Sequence, residues 1–148
     1  QEAIIMAVSP KIIRKKRPFN QFDDAIVEEL AKSARMTCYL KGQEIFAIGD
    51  DDEYEVFLVM GCIELVTKDQ RSFMIDISER KAEYAISNMK PRQFSAIAAK
   101  HDTCICWIHQ KILNHVLKKH RIDLNQTSDS DLVPVNSFRN SLLNFQQS

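Results

Sequence analysis

The chain has 148 residues, with 20 Lys plus Arg balanced by 20 Asp plus Glu. That length supports one domain with a real core, and a formal charge of zero supplies no global field for nucleic acid or an acidic membrane. No apolar run reaches the roughly 18 residues of a spanning helix, and Gln1–Val8 is too short and lacks the leading basic residues of a signal peptide, so the expected setting is cytoplasmic with no membrane partner.

Residues 1–17 form a mildly apolar leader followed by a basic run, Lys11-Ile-Ile-Arg-Lys-Lys-Arg17, which reads either as a contact for a phosphate-rich partner or as the solvated face of a helix or linker. Pro18-Phe19 resets the direction. A helix is predicted from Asn20 or Asp23, because Phe22, Ile26, Leu30 and Ala34 recur at helical spacing and acidic residues crowd the early turns. From Met36 the period changes to two. Met36, Cys38 and Leu40 alternate with polar residues, Gly42 turns the chain, Glu44–Phe46 forms a strand, and Gly49-Asp50 turns it again. Asp50-Asp-Asp-Glu53 lacks the ligand spacing and glycine of a calcium loop and reads as a solvated acidic hairpin end.

Val56–Met60 is a dense apolar strand, Gly61 permits an unusual backbone angle, and Cys62–Val66 continues the sheet. Lys68-Asp69-Gln70 turns into Ser72–Ile77, whose Phe73, Ile75 and Ile77 share a face. Glu83 is expected to open a short helical turn that Lys90-Pro91 ends, with Lys90 either facing solvent or supplying a second positive charge beside Arg92, and a strand begins near Arg92. A final strand covers Thr103–Ile108, and a helix over Gln110–Lys119 has Ile112, Leu113, Val116 and Leu117 on its apolar side. The predicted core of the strand region, about Thr37 to Ile108, is Phe46, Phe57, Leu58, Val59, Ile63, Leu65, Ile75 and Trp107. Residues 123–148 hold a polar linker, Asn125–Asp131, and a short helix over Ser137–Phe145.

Evenly spaced short strands with glycine turns and a helix at each end predict a mainly β fold, an antiparallel β-roll or jelly roll over residues 18–122. Cys38, Cys62, Cys104 and Cys106 read by default as buried thiols. Cys104 and Cys106, two apart on a strand, offer the alternative of a metal or redox pair. His109, His115 and His120 offer no i, i+4 pair, so no metal site is expected. No nucleophile stands beside a plausible base, and the expectation is that the chain is not an enzyme.

The stretch Ala82–Ala99 combines charge, turn residues and small side chains. A turn with backbone N–H groups beside the fork of Arg92 suits a phosphate, and the Glu83 carboxylate can accept from hydroxyls. The alternative is a surface ion pair flanking a loop.

Three segments, Arg17-Pro-Phe19, Tyr39-Leu-Lys-Gly-Gln-Glu-Ile-Phe-Ala-Ile-Gly-Asp50 and Phe57-Leu-Val-Met-Gly-Cys-Ile-Glu-Leu-Val66, together resemble the cyclic nucleotide-binding domain across roughly Arg17 to Lys119. The resemblance implies an eight-stranded β-roll with flanking helices and a phosphate-binding cassette, onto which Ala82-Glu83 and Pro91-Arg92 fall. By that resemblance Glu83 would hold a ribose hydroxyl and Arg92 the cyclic phosphate of a ligand such as cAMP or cGMP, with Ser95 adding a donor and Ala82 lying against the ligand. Ala82 stands where the family has glycine, and Phe73–Arg80 lacks the family's Gly-Asp-Phe turn. The implied function is a cytoplasmic regulatory module with weak, altered or lost cyclic nucleotide binding and no cofactor of its own. The alternative is a ligand-free interaction or dimerisation module of a larger signalling protein, with a homodimer as its closed form. The family's DNA-binding members carry a winged helix-turn-helix after the roll, which Asp123–Ser148 is too short and polar to form, so direct DNA binding is not expected.

Overall fold

The computed structural model describes residues 4–87 and 89–122, and there the alternating segments become two four-stranded antiparallel sheets. The strands are β1 (Ile5–Ala7), β2 (Arg35–Tyr39), β3 (Glu44–Phe46), β4 (Tyr54–Met60), β5 (Cys62–Val66), β6 (Ser72–Asp76), β7 (Ser95–Ala98) and β8 (Thr103–His109). The helices are α1 (Pro10–Arg14), α2 (Asp24–Ser33) and α3 (Gln110–Lys119). One sheet has the order β1-β2-β8-β4 and the other β3-β7-β5-β6. This is the expected β-roll with helices on either side of it in sequence.

The first sheet is covered on both faces, which explains why β4 and β8 read as nearly continuous apolar runs. Val56, Leu58 and Ile105 point to the second sheet and meet Phe46, Ile63, Leu65, Ile75 and Ala96. On the opposite face Phe57, Cys106 and Ile108 pack against Ile26, Val27 and Leu30 of α2 and Leu113, Val116 and Leu117 of α3. The helical spacing that predicted α2 is therefore the stripe that it buries. Phe22, Ile26, Leu30 and Ala34 are all buried. Phe19 joins this cluster edge-on to Phe57, with ring centroids 5.5 Å apart.

Several expectations are corrected. The leader supplies edge strand β1, paired with β2 through Met6 and Met36; the basic run does enter a helix, α1, but Ile13 and Lys16 of the run are buried rather than solvated. Of the predicted core, Val59 and Trp107 are only half-buried; Trp107 keeps its indole N–H on the Thr37 hydroxyl at 2.8 Å. Ile77, expected to share the inward face of Ile75, is exposed, as is Ile112 on α3.

The four cysteines are not all thiols. Antiparallel register sets Cys38 opposite Cys104, and the two form a disulfide, while Cys62 and Cys106 stay reduced and buried. Gly61 has φ +87°, and a Cβ there would lie 2.5 Å from Thr103 Oγ1 and 2.8 Å from Thr103 Cα, so the turn between β4 and β5 needs both glycine's backbone freedom and its missing side chain. The predicted linker and helix within residues 123–148 lie outside the described residues.

Candidate functional site

Two loops meet at the mouth of the roll. One runs from β3 to β4 through Gly49-Asp50, and the other connects the 3-10 turn Arg80–Glu83 to β7. The Gly49 N–H donates to Arg92 O at 2.7 Å and the Arg92 N–H returns a bond to Asp50 O at 2.8 Å. The Ile48 N–H donates to Ser95 Oγ at 3.1 Å, and the Ile86 N–H reaches Val56 O at 2.8 Å. These bonds deliver Arg92 to the interior, where its side chain is fully buried.

A guanidinium has five N–H donors, and the protein supplies an acceptor for each. Nε donates to Asp52 Oδ2 at 2.9 Å and Nη2 to Asp52 Oδ1 at 2.7 Å, the two-pronged geometry that a phosphate would also take. Nη2 also reaches Tyr54 O at 3.0 Å, and Nη1 reaches Ser87 O at 2.8 Å and Ile86 O at 3.4 Å. The Phe46 ring lies under the cation at 4.3 Å from its centroid.

Lys90 is not turned to solvent; its ammonium donates to Asp52 O, Asp52 Oδ1 and Tyr54 O, each at 2.8 Å. Burial by itself pushes the Asp52 carboxyl up, but hydrogen bonds from Arg92, Lys90 and the Tyr54 backbone outweigh it and hold that carboxyl far below the usual carboxylate range. Asp52 was read from sequence as part of a solvated hairpin end, and the structure corrects that reading. The signal that could have found it is an acidic run in a chain whose other half offers Lys90-Pro-Arg92, two cations either side of one turn.

Of the other residues singled out, Glu83 ends the 3-10 turn rather than opening a later one, and its carboxylate accepts from Arg17 Nε at 2.9 Å. Glu83 and Arg92 thus have separate ionic partners, and the expected surface pair between them does not form. Ala82 is buried, and its carbonyl accepts from Lys16 Nζ at 2.8 Å. Ser95 is half-buried with its hydroxyl oxygen on the Ile48 N–H. Ser87, beside Arg92, has φ +43° and a buried hydroxyl without a hydrogen-bond partner. Chemically the cluster is an anion cradle that already holds an anion, the Asp52 side chain.

No family model and no curated protein matches the sequence. Solved structures do resemble the fold. A cyclic nucleotide-binding domain from Methylobacillus flagellatus KT is 14% identical with a TM-score of 0.64, over 97% of this chain and 85% of that one. The sensor domain of the transcriptional regulator DNR from Pseudomonas aeruginosa is 16% identical with a TM-score of 0.59, over 75% and 81%. The C-linker/CNBHD of zELK channels, crystallised in the presence of cAMP, is 16% identical with a TM-score of 0.58, over 73% of this chain and 56% of that one. At such identities the likeness is one of architecture, and in architecture this chain is a cyclic nucleotide-binding-type β-roll.

Proposed function

We propose that this chain is a non-enzymatic regulatory module in which cyclic nucleotide binding is weak or lost because Asp52 occupies the position of a ligand phosphate. The observation that carries the reading is the two-pronged Asp52–Arg92 pair, with Lys90 completing the cradle. A phosphate at Arg92 has to displace that carboxylate, and breaking a buried ion pair costs about 3–5 kcal/mol before any new contact forms. Every 1.4 kcal/mol or so that the ligand fails to recover weakens binding tenfold. Glu83 is tied to Arg17 through Oε1, which fixes its carboxylate against the leader.

Calorimetric titration with cAMP and with cGMP tests this reading. The expected result is no saturable heat up to about 1 mM of either nucleotide. Micromolar binding that Arg92→Ala abolishes would overturn it and restore a ligand sensor. A second reading, a dimerisation module, draws support from Ile4 and Ile5, exposed on and beside edge strand β1. Sedimentation at high micromolar concentration that finds only monomer removes that reading.

A further inference from the structure

A pocket of about 420 Å³ lies between α1 and the Arg80–Glu83 turn, away from Arg92, with walls formed by Ile12, Val59, Ile77 and Ala82. Lys15 and Lys16 line it as well. Lys16 is 5% exposed, and its ammonium is hydrogen-bonded to two backbone carbonyls, Leu58 O and Ala82 O. An ammonium has three donors, so one is left without a partner among the described residues. Neither partner carries a charge. The carboxylate on the pocket wall, Glu83, is hydrogen-bonded to Arg17 instead. The Cys106 thiol whose charge Lys16 would feel is held neutral by burial, its pKa pushed up to about 12. Burial is the largest cause that brings Lys16 down to about 8; the nearby Glu83 carboxylate opposes it and the Lys15 ammonium adds to it.

We infer that this pocket is a binding site for a small carboxylate with a short apolar body, whose carboxylate takes the remaining Lys16 donor while its tail lies along Ile12, Val59 and Ile77. The match is chemical on both sides. A buried cation whose hydrogen-bond partners are both neutral gains most from a ligand that puts an anion in direct contact with it, because the low-dielectric surroundings that penalise the charge strengthen the pair. Exposed Lys15 at the rim adds attraction for the incoming anion. The mostly aliphatic walls favour a hydrocarbon tail over a sugar or a polyphosphate. The volume falls within the lower part of the range of small-molecule sites. Because Lys16 is bonded to Ala82 O and the Arg17 N–H to Glu83 O, a bound carboxylate would act where the leader is stitched to the 3-10 turn. The inference is independent of whether a nucleotide binds at Arg92.

The experiment is an amide-resolved NMR titration of the chain with hexanoate, hexanol and inorganic phosphate, each to about 10 mM. Hexanoate is expected to shift the amides of Ile12, Lys16, Val59 and Ala82 saturably, and hexanol to bind at least about tenfold more weakly. Lys16→Met, which keeps an apolar side chain of similar length, should cost hexanoate at least about tenfold in affinity. Ile77→Trp, a change at an exposed position, should block hexanoate by filling the pocket and so covers the case in which Lys16→Met does not fold. Binding by wild type at pH 8 should be accompanied by proton uptake, seen as a heat that depends on the buffer's ionisation enthalpy. Equal affinity for hexanoate and hexanol, undiminished binding in either variant, preference for phosphate, or no shift at those amides would each overturn the inference.

Discussion

Asp52→Ala leaves a guanidinium in the interior with two of its five donors, Nε and one N–H of Nη2, facing the space where a carboxylate stood. Removing one partner of a fully buried pair costs about 3–5 kcal/mol, because the remaining charge keeps its desolvation penalty. The Asp52 side chain is 24% exposed, so water can reach part of the vacated position, and the Tyr54, Ser87 and Ile86 carbonyls still hold the other donors. The expected loss is therefore about 3 kcal/mol, the lower end of that range, and a fall of roughly 10 °C in Tm for a domain of this size. Urea melts followed through Trp107 measure it, since that indole is half-buried and edge-on to the Tyr54 ring at 5.7 Å, next to the affected loop. The double variant Asp52→Ala/Arg92→Met should recover a large part of the loss, because the fully buried guanidinium is then no longer stranded and only the partly exposed Lys90 has lost the carboxylate. A loss below about 0.5 kcal/mol, or a double variant no better than the single, would refute the account of Arg92 as an internally neutralised cation. The pH dependence follows with its sign. A carboxyl depressed in the folded state contributes fully above its unfolded pKa, near ~3.9, and the contribution is lost as pH falls toward the folded value, so wild type should lose stability below about pH 4 more steeply than Asp52→Ala.

Phe57→Ala removes a buried ring that meets Phe19 edge-on and should cost about 3–5 kcal/mol in the same melts; a cost below ~0.5 kcal/mol would mean that the ring is not in the core. Gly61→Ala should cost about 2 kcal/mol or more, since positive φ and the approach of Thr103 act together; a neutral result would show that the β4–β5 turn relaxes freely. Glu29 is held down to about 2 by hydrogen bonds from Lys119 and then His120, so Glu29→Gln should lower Tm at neutral pH, with the difference from wild type closing as pH falls from ~4 toward 2. A difference unchanged across that range would exclude the charge as its cause. Reduction of Cys38–Cys104, which closes a separation of 66 residues, should lower stability by at most about 4 kcal/mol, and an identical Tm with and without reductant would argue against the bond.

What the sequence made legible was periodicity. α2, α3 and the strands from β2 to β8 fall close to their expected spans, since apolar residues recur along them with the period of a helix or of a strand. β1 was not legible, since it is three residues long and none of its side chains is buried, and only pairing with β2 makes it a strand. The disulfide is likewise a property of register: Cys38 and Cys104 become neighbours when β2 and β8 align. At the candidate site the importance of Arg92 was legible from Pro91-Arg92 and the small residues after it, whereas its partner was not. Asp52 lies 40 residues earlier in an acidic run, and nothing local separates the one carboxylate that turns inward from Asp50, Asp51 and Glu53. Lys16 was hidden in the same way, as one cation in a run of similar cations.

The side chain of Arg92 also has a mechanical meaning. Its bonds end on Asp52 and on Tyr54 at the start of β4 on one side and on Ser87 and Ile86 of the second loop on the other, while its own peptide group is bonded on both sides to Gly49-Asp50. A single residue thus clamps two chain segments that are about forty positions apart. Neither can swing outward without breaking several bonds to the same guanidinium at once, so the two segments open and close as a single cooperative unit. Displacing either loop therefore means breaking bonds that also hold the other, beside the starts of β4 and β7.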